Sequence, residues 1–529
     1  MGTYVNPKND GFASVRKSEY VDKTGLVALF DHSLESADKL VLVSRPRRFG
    51  KSYAAKMLVA FYSRGCESRH LFEDMDVARH RDWDRHLNAL NVVSLDMSEF
   101  MQAHGADNVV SGVTRALLPE LRSILPEAGK TEEGYGTELK ATLLDVARAT
   151  GRKFVFVIDE WDAPYRLSQG NAAAQDAYAE WLRALFKGNN FTDEAIAGAY
   201  LTGILPIKKY SHQSAVSDFQ EYTMVDPATY APYVGFTETE VEKLCKWHAM
   251  DLEDVRRWYD GYDLAGSIGV YAPFSVMRAC SRGKTGSYWV STEAYESLRP
   301  YIEMDFDGLQ ADIARVVGGA SIRLDPDGFQ NDMTSIMTRD DVLTLLVHLG
   351  YLTYDAKSRT ARVPNDEVRF ELARAISKSR HPKLMKLARD SEELLEDIVA
   401  MRENAVAAGF ERVHTRDCSP LFYNNEQALR SVVKTALLAA IDEYARVEEF
   451  PGGKGYADIA YLPRRGSMLP ALIVELKWNK LVTTALDQIR DQNYPDALRN
   501  LDVPILLVGV TYDAHTRQHD CRIEVLNEG

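Results

Sequence analysis

The 529-residue chain has no apolar run near the ~20 residues needed to cross a bilayer, and its N-terminus lacks the profile of a secretory signal. A Met-Gly start invites myristoylation, but Asn6 stands where Ser or Thr is required. Cysteine is scarce: Cys66, Cys245, Cys280, Cys418 and Cys521 are scattered, odd in number and form no Cys-x-x-Cys. That excludes a disulfide framework and a Cys-rich zinc site, and the expected compartment is the reducing cytoplasm, with no membrane contact. There is no basic excess either. With 63 basic and 77 acidic residues the net charge is −14, so nucleic-acid binding would need local patches such as Arg45/Arg47/Arg48, Lys208/Lys209 or Arg464/Arg465. Internal repeats, low-complexity tracts and a Ser/His/Asp set are also missing.

What is present starts at residues 41–58, VLVSRPRRFGKSYAAKML. The apolar run Val41–Val43 leads into a basic turn that ends in Gly50-Lys51-Ser52, and Ala54, Ala55 and Leu58 continue with helical spacing. Strand, turn and helix in this order are what a phosphate-binding P-loop needs. Backbone N–H groups at the helix start face phosphate, Lys51 adds a point charge, and the Ser52 hydroxyl can hold Mg²⁺. Arg47, Arg48 and Phe49 complete the candidate nucleotide-binding turn, and Arg45 occupies a position where the usual pattern has glycine. A hundred residues on, FVFVIDEWD (154–162) is an apolar strand ending in Asp159 and Glu160. In a P-loop ATPase such a strand lies near the first, its Asp supporting Mg²⁺ and its Glu polarising water. The expected ligand is ATP with Mg²⁺.

Strands expected at 39–44, 91–97, 154–159 and 197–204 alternate with helices such as 109–124 and 172–187, a pattern of a parallel sheet covered on both faces. Thr202, at the end of the fourth strand, is placed to sense a γ-phosphate. Lys208, Lys209 and Tyr210 follow it as candidates for phosphate, DNA or solvent contact. Thr237 and Glu240 have capping-box spacing, and WYDGYDL (258–264) reads as a packed aromatic corner. Residues 339–364 give a helix, a Gly350 cap and two short strands, resembling a winged-helix lid. The charged stretch 366–410 reads as a helical connector. The resulting organisation is 1–235 nucleotide-binding, 236–370 lid, 371–415 connector and 416–529 a third α/β unit.

In that last unit, residues 424–444 read as one helix whose apolar stripe carries Glu426 one turn ahead of Leu429. EEFPGGKGYADIAYLP (448–463) reads as a Gly-rich turn entering a strand that places Tyr456, Asp458 and Ala460 on one face. In LPALIVELKW (469–478), Leu472, Val474 and Leu476 share one face, with Ile473, Glu475 and Lys477 on the other. An Asp, a Glu and a Lys can thus converge. Carboxylates that hold Mg²⁺ and a cation that orients water are what phosphodiester cleavage needs. A helix with Gln488, then Tyr494, follows. His515 and His519 have metal-pair spacing but fall in YDAHTRQHD, read as a solvated turn between strands 504–511 and 521–526.

In this order SRPRRFGKS, FVIDEWDAPY, LTGILPIKKY, WYDGY, VYAPFSV, LGYLTYD, KGYADIAYLP, VELKW and DQIRDQNYP resemble bacterial proteins that join an AAA-ATPase-like region to a C-terminal nuclease-like domain of the PD-(D/E)xK superfamily. The resemblance spans roughly residues 10–520. It implies a P-loop α/β sheet, a lid and a restriction-endonuclease-like α/β domain. Lys51, Ser52, Asp159 and Glu160 would serve nucleotide, metal and water. Asp458, Glu475 and Lys477 would form the nuclease core, with Glu426 on its first helix and Gln488 on its last. Ala457 replaces the superfamily's proline. Related systems act as switches in defence against phage or mobile DNA. The implied partners are nucleic acid, DNA first, and further copies of the chain. The rival reading is a nucleotide-sensing regulator whose C-terminal domain binds nucleic acid or a partner without cutting.

Overall fold

The computed structural model describes residues 2–125, 138–168, 170–188, 190–206, 218–264, 268–289, 301, 303–304, 306, 308–329, 336–377, 382–417, 425–452, 455–464, 467–491 and 503–526. Lys208, Lys209, Tyr210, Cys418 and Tyr494 lie outside the described residues. The chain divides into two units, Met1–Tyr288 with Leu324–Arg359, and Trp289–Arg323 with Thr360–Gly529. No described helix is long and apolar enough to cross a membrane.

The first unit is built on five parallel strands, β1 Leu40–Ser44, β2 Asn91–Asp96, β3 Phe154–Asp159, β4 Ile196–Gly203 and β5 Gln220–Tyr222, in the order β2-β3-β4-β1-β5. β1, β3 and β4 are buried along their whole length, as expected of strands covered on both faces. The strands expected from the apolar runs lie within a residue or two of where the sequence puts them, and so do the helices Val109–Ile124 and Ala172–Phe186. The two motif strands are not neighbours, however. β4 lies between them, Leu42 and Val43 pairing with Leu201 and Thr202, and Ile158 with Leu201. Helix α1 (Lys51–Tyr62) packs across β2, β3 and β4.

Beyond the sheet, Glu238–His248 starts with the full Thr237/Glu240 capping box, and Trp258, Tyr259 and Tyr262 form the buried corner expected. Tyr262 Oη donates to Gly350 O at 2.9 Å, where the helix Arg339–Leu349 ends on a left-handed Gly350 (φ 86°).

The second unit carries a mixed sheet in chain order: β6 Tyr444–Gly452, β7 Gly455–Pro463, β8 Ala471–Trp478, β9 Ile505–Asp513 and β10 Gln518–Val525. Neighbours are antiparallel except β8 and β9, which run parallel. One face shares a core (Ile459, Tyr461, Leu472, Val474, Leu476) with Leu394, Ile398, Val406, Phe410 and Val413. The stretch read as a connector therefore carries side chains that pack on this sheet. It is also not one helix. Pro382–Val399 and α2 (Glu403–Asp417) are separate, and Met401 takes a left-handed φ of 57° at the break between them.

Three further expectations need correction. The helix expected over 424–444 ends at Ala436 (α3, Glu426–Ala436), because Leu437, Ala440 and Tyr444 must all reach the same core while the chain turns into β6. The Gly-rich turn at 448–452 is itself strand, paired with β7 from Glu448–Ile459 to Gly452–Gly455. His519 is not in a solvated turn: β10 begins at Gln518, pairs His519 with Tyr512 and buries its side chain completely.

Candidate functional site

β1 ends at Ser44 and the loop 45–50 delivers the chain into α1 with Gly50 at φ 89° and Arg48 at 71°. Gly50 has no atom within 4 Å of where a Cβ would sit, so its glycine answers the backbone angle rather than crowding. Lys51 is buried and donates to Arg45 O (3.1 Å) and Pro46 O (2.9 Å), which folds the loop around the ammonium. Burial lowers its pKa, with Glu160, Asp159 and Asp162 pulling the other way.

Arg45 is the departure from the glycine pattern. It is fully buried, and its Nη1 donates to Ser44 O (2.8 Å), Tyr222 O (3.0 Å) and Thr223 O (3.2 Å). The arginine thus pins the loop to the end of β5. Burial pulls its pKa down to about 10.

At the end of β3, Asp159 accepts from Ser52, and burial pushes its carboxyl up to about 6 against the pull of Ser52 and Lys51. A buried carboxylate beside a hydroxyl, with its charge poorly matched, suits a divalent cation. Ser52 and Asp159 are the residues that would hold Mg²⁺. Glu160 has φ 50° and is ion-paired with Arg166, which also bonds Asp162 Oδ2 through Nε at 2.9 Å. Asp162 Oδ2 in turn accepts from Ile204 N (3.1 Å) and Leu205 N (2.9 Å), tying the chain after β4 to that after β3.

Arg47, Arg48, Phe49, Gly50, Lys51, Ser52 and Glu160 line a cavity of about 630 Å³, within the size range of ligand pockets. Its other wall is apolar, from Tyr20, Val21, Phe236, Pro273, Phe274 and Met277. Sequence reasoning missed these residues because Pro273 and Phe274 stand in VYAPFSV, which carries no phosphate-binding signature, and the others come from segments with no motif in common. Arg48 stacks on the Phe274 ring at 4.6 Å and donates to Tyr288 O at 3.1 Å, so it supports that wall as well as the loop. Phe49 is buried edge-on against Tyr262 at 5.1 Å. Thr202 is fully buried with its backbone carbonyl accepting from Trp161 N, and it is not on the cavity wall.

In the second unit the β7–β8 ladder runs from Tyr461–Leu472 to Ile459–Val474. One step further Asp458 stands opposite Glu475, and there side chains replace the ladder. Leu476 N donates to Asp458 Oδ2 (2.8 Å), and Asp458 N to Glu475 Oε2 (3.4 Å). Lys477 Nζ bonds Glu475 Oε1 (2.8 Å) and Leu476 O (3.0 Å), and Arg430 of α3 is ion-paired with Asp458 Oδ1. All three predicted residues are buried, with Asp458 at 8 %, Glu475 at 1 % and Lys477 at 5 % exposure. Burial, then the Asp458 charge, pushes Glu475 up to about 7. Arg430 was not anticipated, although its place one turn after Glu426 was visible.

Glu426 and Gln488 do not join them. Among the described residues neither makes a hydrogen bond or ion pair to Asp458, Glu475 or Lys477, and Glu426 forms no three-ligand cluster with the two carboxylates. Glu426 lies half-buried in the first turn of α3, which Asn425 caps through Ala428 N (2.9 Å). Gln488 is half-buried on α4 (Val482–Asp491), the helix whose Leu486 and Ile489 share a core with Ile473.

Among known proteins, the chain is 23% identical over 538 residues to an uncharacterised protein from the vnfD 5′ region of Azotobacter chroococcum mcd 1, covering 96% of each. Two solved structures overlap it more loosely. A Walker-type ATPase of Pyrococcus abyssi has 13% identity, covers 66% of this chain and 94% of its own, and gives a TM-score of 0.34. The ORC2 protein of Aeropyrum pernix has 12% identity, 68% and 96% coverage, and a TM-score of 0.32. Overlaps of that size add nothing about function. Residues 10–212, which hold β1 to β4 and the loop between β1 and α1, match the family described as Predicted AAA-ATPase, and this part of the chain is similar to that family.

Proposed function

We propose that the chain is an ATP-binding and ATP-hydrolysing protein whose second unit cleaves phosphodiester bonds with Mg²⁺, the nucleotide state of the first unit controlling the second. In the first unit the loop N–H groups and Lys51 bind the phosphates, and the apolar wall of Phe236, Phe274 and Met277 accepts the base. Ser52 and Asp159 hold the cation, which when bound neutralises charge on the phosphates. Glu160 orients the attacking water once Arg166 yields it.

The observation that carries the nuclease reading is the buried trio at the point where β7 and β8 part. Asp458 and Glu475 face each other as two carboxylates where the strands part, which suits Mg²⁺, and Lys477 is held by Glu475 where it can steady a developing charge. The fit is to an oxygen-liganded cation, because the donors are two carboxylates and the nearby Leu476 carbonyl.

The same geometry favours one rival. Arg430 and Lys477 already neutralise both carboxylates, which would suit a domain that binds nucleic acid or a partner without cutting. Mg²⁺-dependent cleavage of plasmid DNA and of RNA, with and without ATP, separates the two readings. Wild type should cut and Asp458→Ala and Lys477→Ala should not. Equal, metal-independent backgrounds in all three establish the rival. Loss of ATP hydrolysis in Lys51→Ala tests the first unit on its own.

A further inference from the structure

A second cluster of ligand-type side chains lies in the same unit but away from Asp458 and Glu475. Glu411 and His414 sit one turn apart on α2, and His519 reaches them from β10. One ligand atom from each falls within 4.8 Å of the other two, and among the described residues this is the one His/Cys/Asp/Glu triad that does so. We propose that Glu411, His414 and His519 form a binding site for a borderline divalent cation of the Zn²⁺ class.

Three features support the assignment. Two imidazoles and a carboxylate are a donor set that prefers Zn²⁺ or Co²⁺ to Mg²⁺, and three protein ligands leave a fourth position open. Both histidines are buried, so an ion bound between them is shielded from bulk water. Their orientation is also fixed. His414 meets the Tyr512 ring edge-on at 4.9 Å and the His519 ring at 5.3 Å, Tyr512 lies 4.8 Å from His519, and Trp478 packs behind Tyr512 at 4.9 Å. His519 Nδ1 lies 2.6 Å from Glu411 Oε2, so these two ligand atoms face each other and a bound ion would take the place of the proton they share.

The His519 side chain is wholly buried while that of Glu411 is 38% exposed, so an ion has a path from solvent along the carboxylate. Drawing the three ligands to about 2.1 Å from one ion requires movement chiefly of that exposed arm. The consequence is mechanical. α2 is already fastened to β10 at its other end, where Glu403 accepts from Ile523 N (2.9 Å) and Arg522 Nη1 (2.7 Å). An ion would be the second fastening, joining helix and last strand by coordinate bonds.

The test uses the full chain, stripped with chelator and held in excess Mg²⁺ so that oxygen-only sites are filled. Co²⁺ is titrated in and followed by visible absorption. One equivalent per chain with the ligand-field bands of nitrogen-ligated, low-coordinate Co²⁺, displaced by Zn²⁺, is expected. Glu411→Ala should weaken it by about tenfold or more and His414→Gln should abolish it, while His515→Ala, in the exposed turn, should leave it unchanged. Zn²⁺ should raise the melting temperature of wild type more than that of Glu411→Ala at the same concentration. Because Glu411 is partly exposed, that variant decides even if His414→Gln fails to fold. The proposal is overturned if wild type gives only the spectrum of hydrated Co²⁺, or if Glu411→Ala binds as wild type does.

Discussion

Glu475 makes the candidate metal site measurable without any substrate. Its carboxyl is pushed from 4.5 up to about 7, first by burial and then by Asp458. A folded-state value above the unfolded one means that stability is fullest below 4.5 and is lost as pH rises through about 7. That rise corresponds to about 3 kcal/mol in all at 1.36 kcal/mol per pH unit. Most of it, about 2 kcal/mol, should disappear between about pH 5 and about pH 8. Glu475→Gln cannot titrate. Whatever constant cost it incurs by leaving Lys477 with Leu476 O alone cancels when the two pH values are compared. The readout is native-state hydrogen exchange of β7 and β8 amides, which reports the opening of this sheet whatever the other unit does. In metal-free buffer the wild-type advantage over Glu475→Gln should shrink by about 2 kcal/mol from about pH 5 to about pH 8. Saturating Mg²⁺ should flatten that dependence by compensating the charge. A wild-type and variant difference that is the same at both pH values would refute the account of a strained carboxylate pair.

Asp159 gives a parallel expectation for the first unit. With its carboxyl up at about 6, Mg²⁺-dependent binding of a fluorescent ATP analogue should weaken by up to about tenfold per pH unit below that value, whereas Mg²⁺-free binding should not follow this curve. Restoring the usual glycine by Arg45→Gly removes three carbonyl bonds at full burial and should cost about 2–4 kcal/mol in urea melts. A neutral result would mean the arginine is not what holds the loop to β5. Arg166→Ala should lower the ATP turnover number while the nucleotide dissociation constant moves little, since it strips Glu160 and Asp162 of their partner but leaves the loop intact. A change in affinity alone would place Arg166 on the nucleotide instead.

Local pattern carried a good part of this. Continuous apolar runs mark β1 and β3 because both faces are covered, and the alternation in β8 correctly separates Leu472, Val474 and Leu476 from Ile473, Glu475 and Lys477. What pattern could not carry is neighbourhood. Nothing in residues 196–203 says that β4 slots between the two motif strands, since pairing order is set by packing of the whole sheet. The apolar wall of the cavity comes from Tyr20, Phe236 and Met277, far apart in sequence and silent until folded. Helix ends failed where burial outlasts the helix: the stripe from Leu429 to Tyr444 is real, yet the last part of it belongs to a turn, a separate short helix (Ala440–Glu443) and a strand. His519 was lost to composition, because YDAHTRQHD is polar throughout while the chain resumes its strand in the middle of it.

The Arg45 anchor has a thermodynamic consequence for how nucleotide meets this protein. A phosphate loop of glycines must usually be frozen as its ligand arrives, and the ordering entropy is subtracted from affinity. Here a guanidinium clasps three carbonyls beforehand, so the cradle is standing before any triphosphate enters, and association should be governed by desolvation of Lys51 and Asp159 rather than by the taming of a wandering backbone.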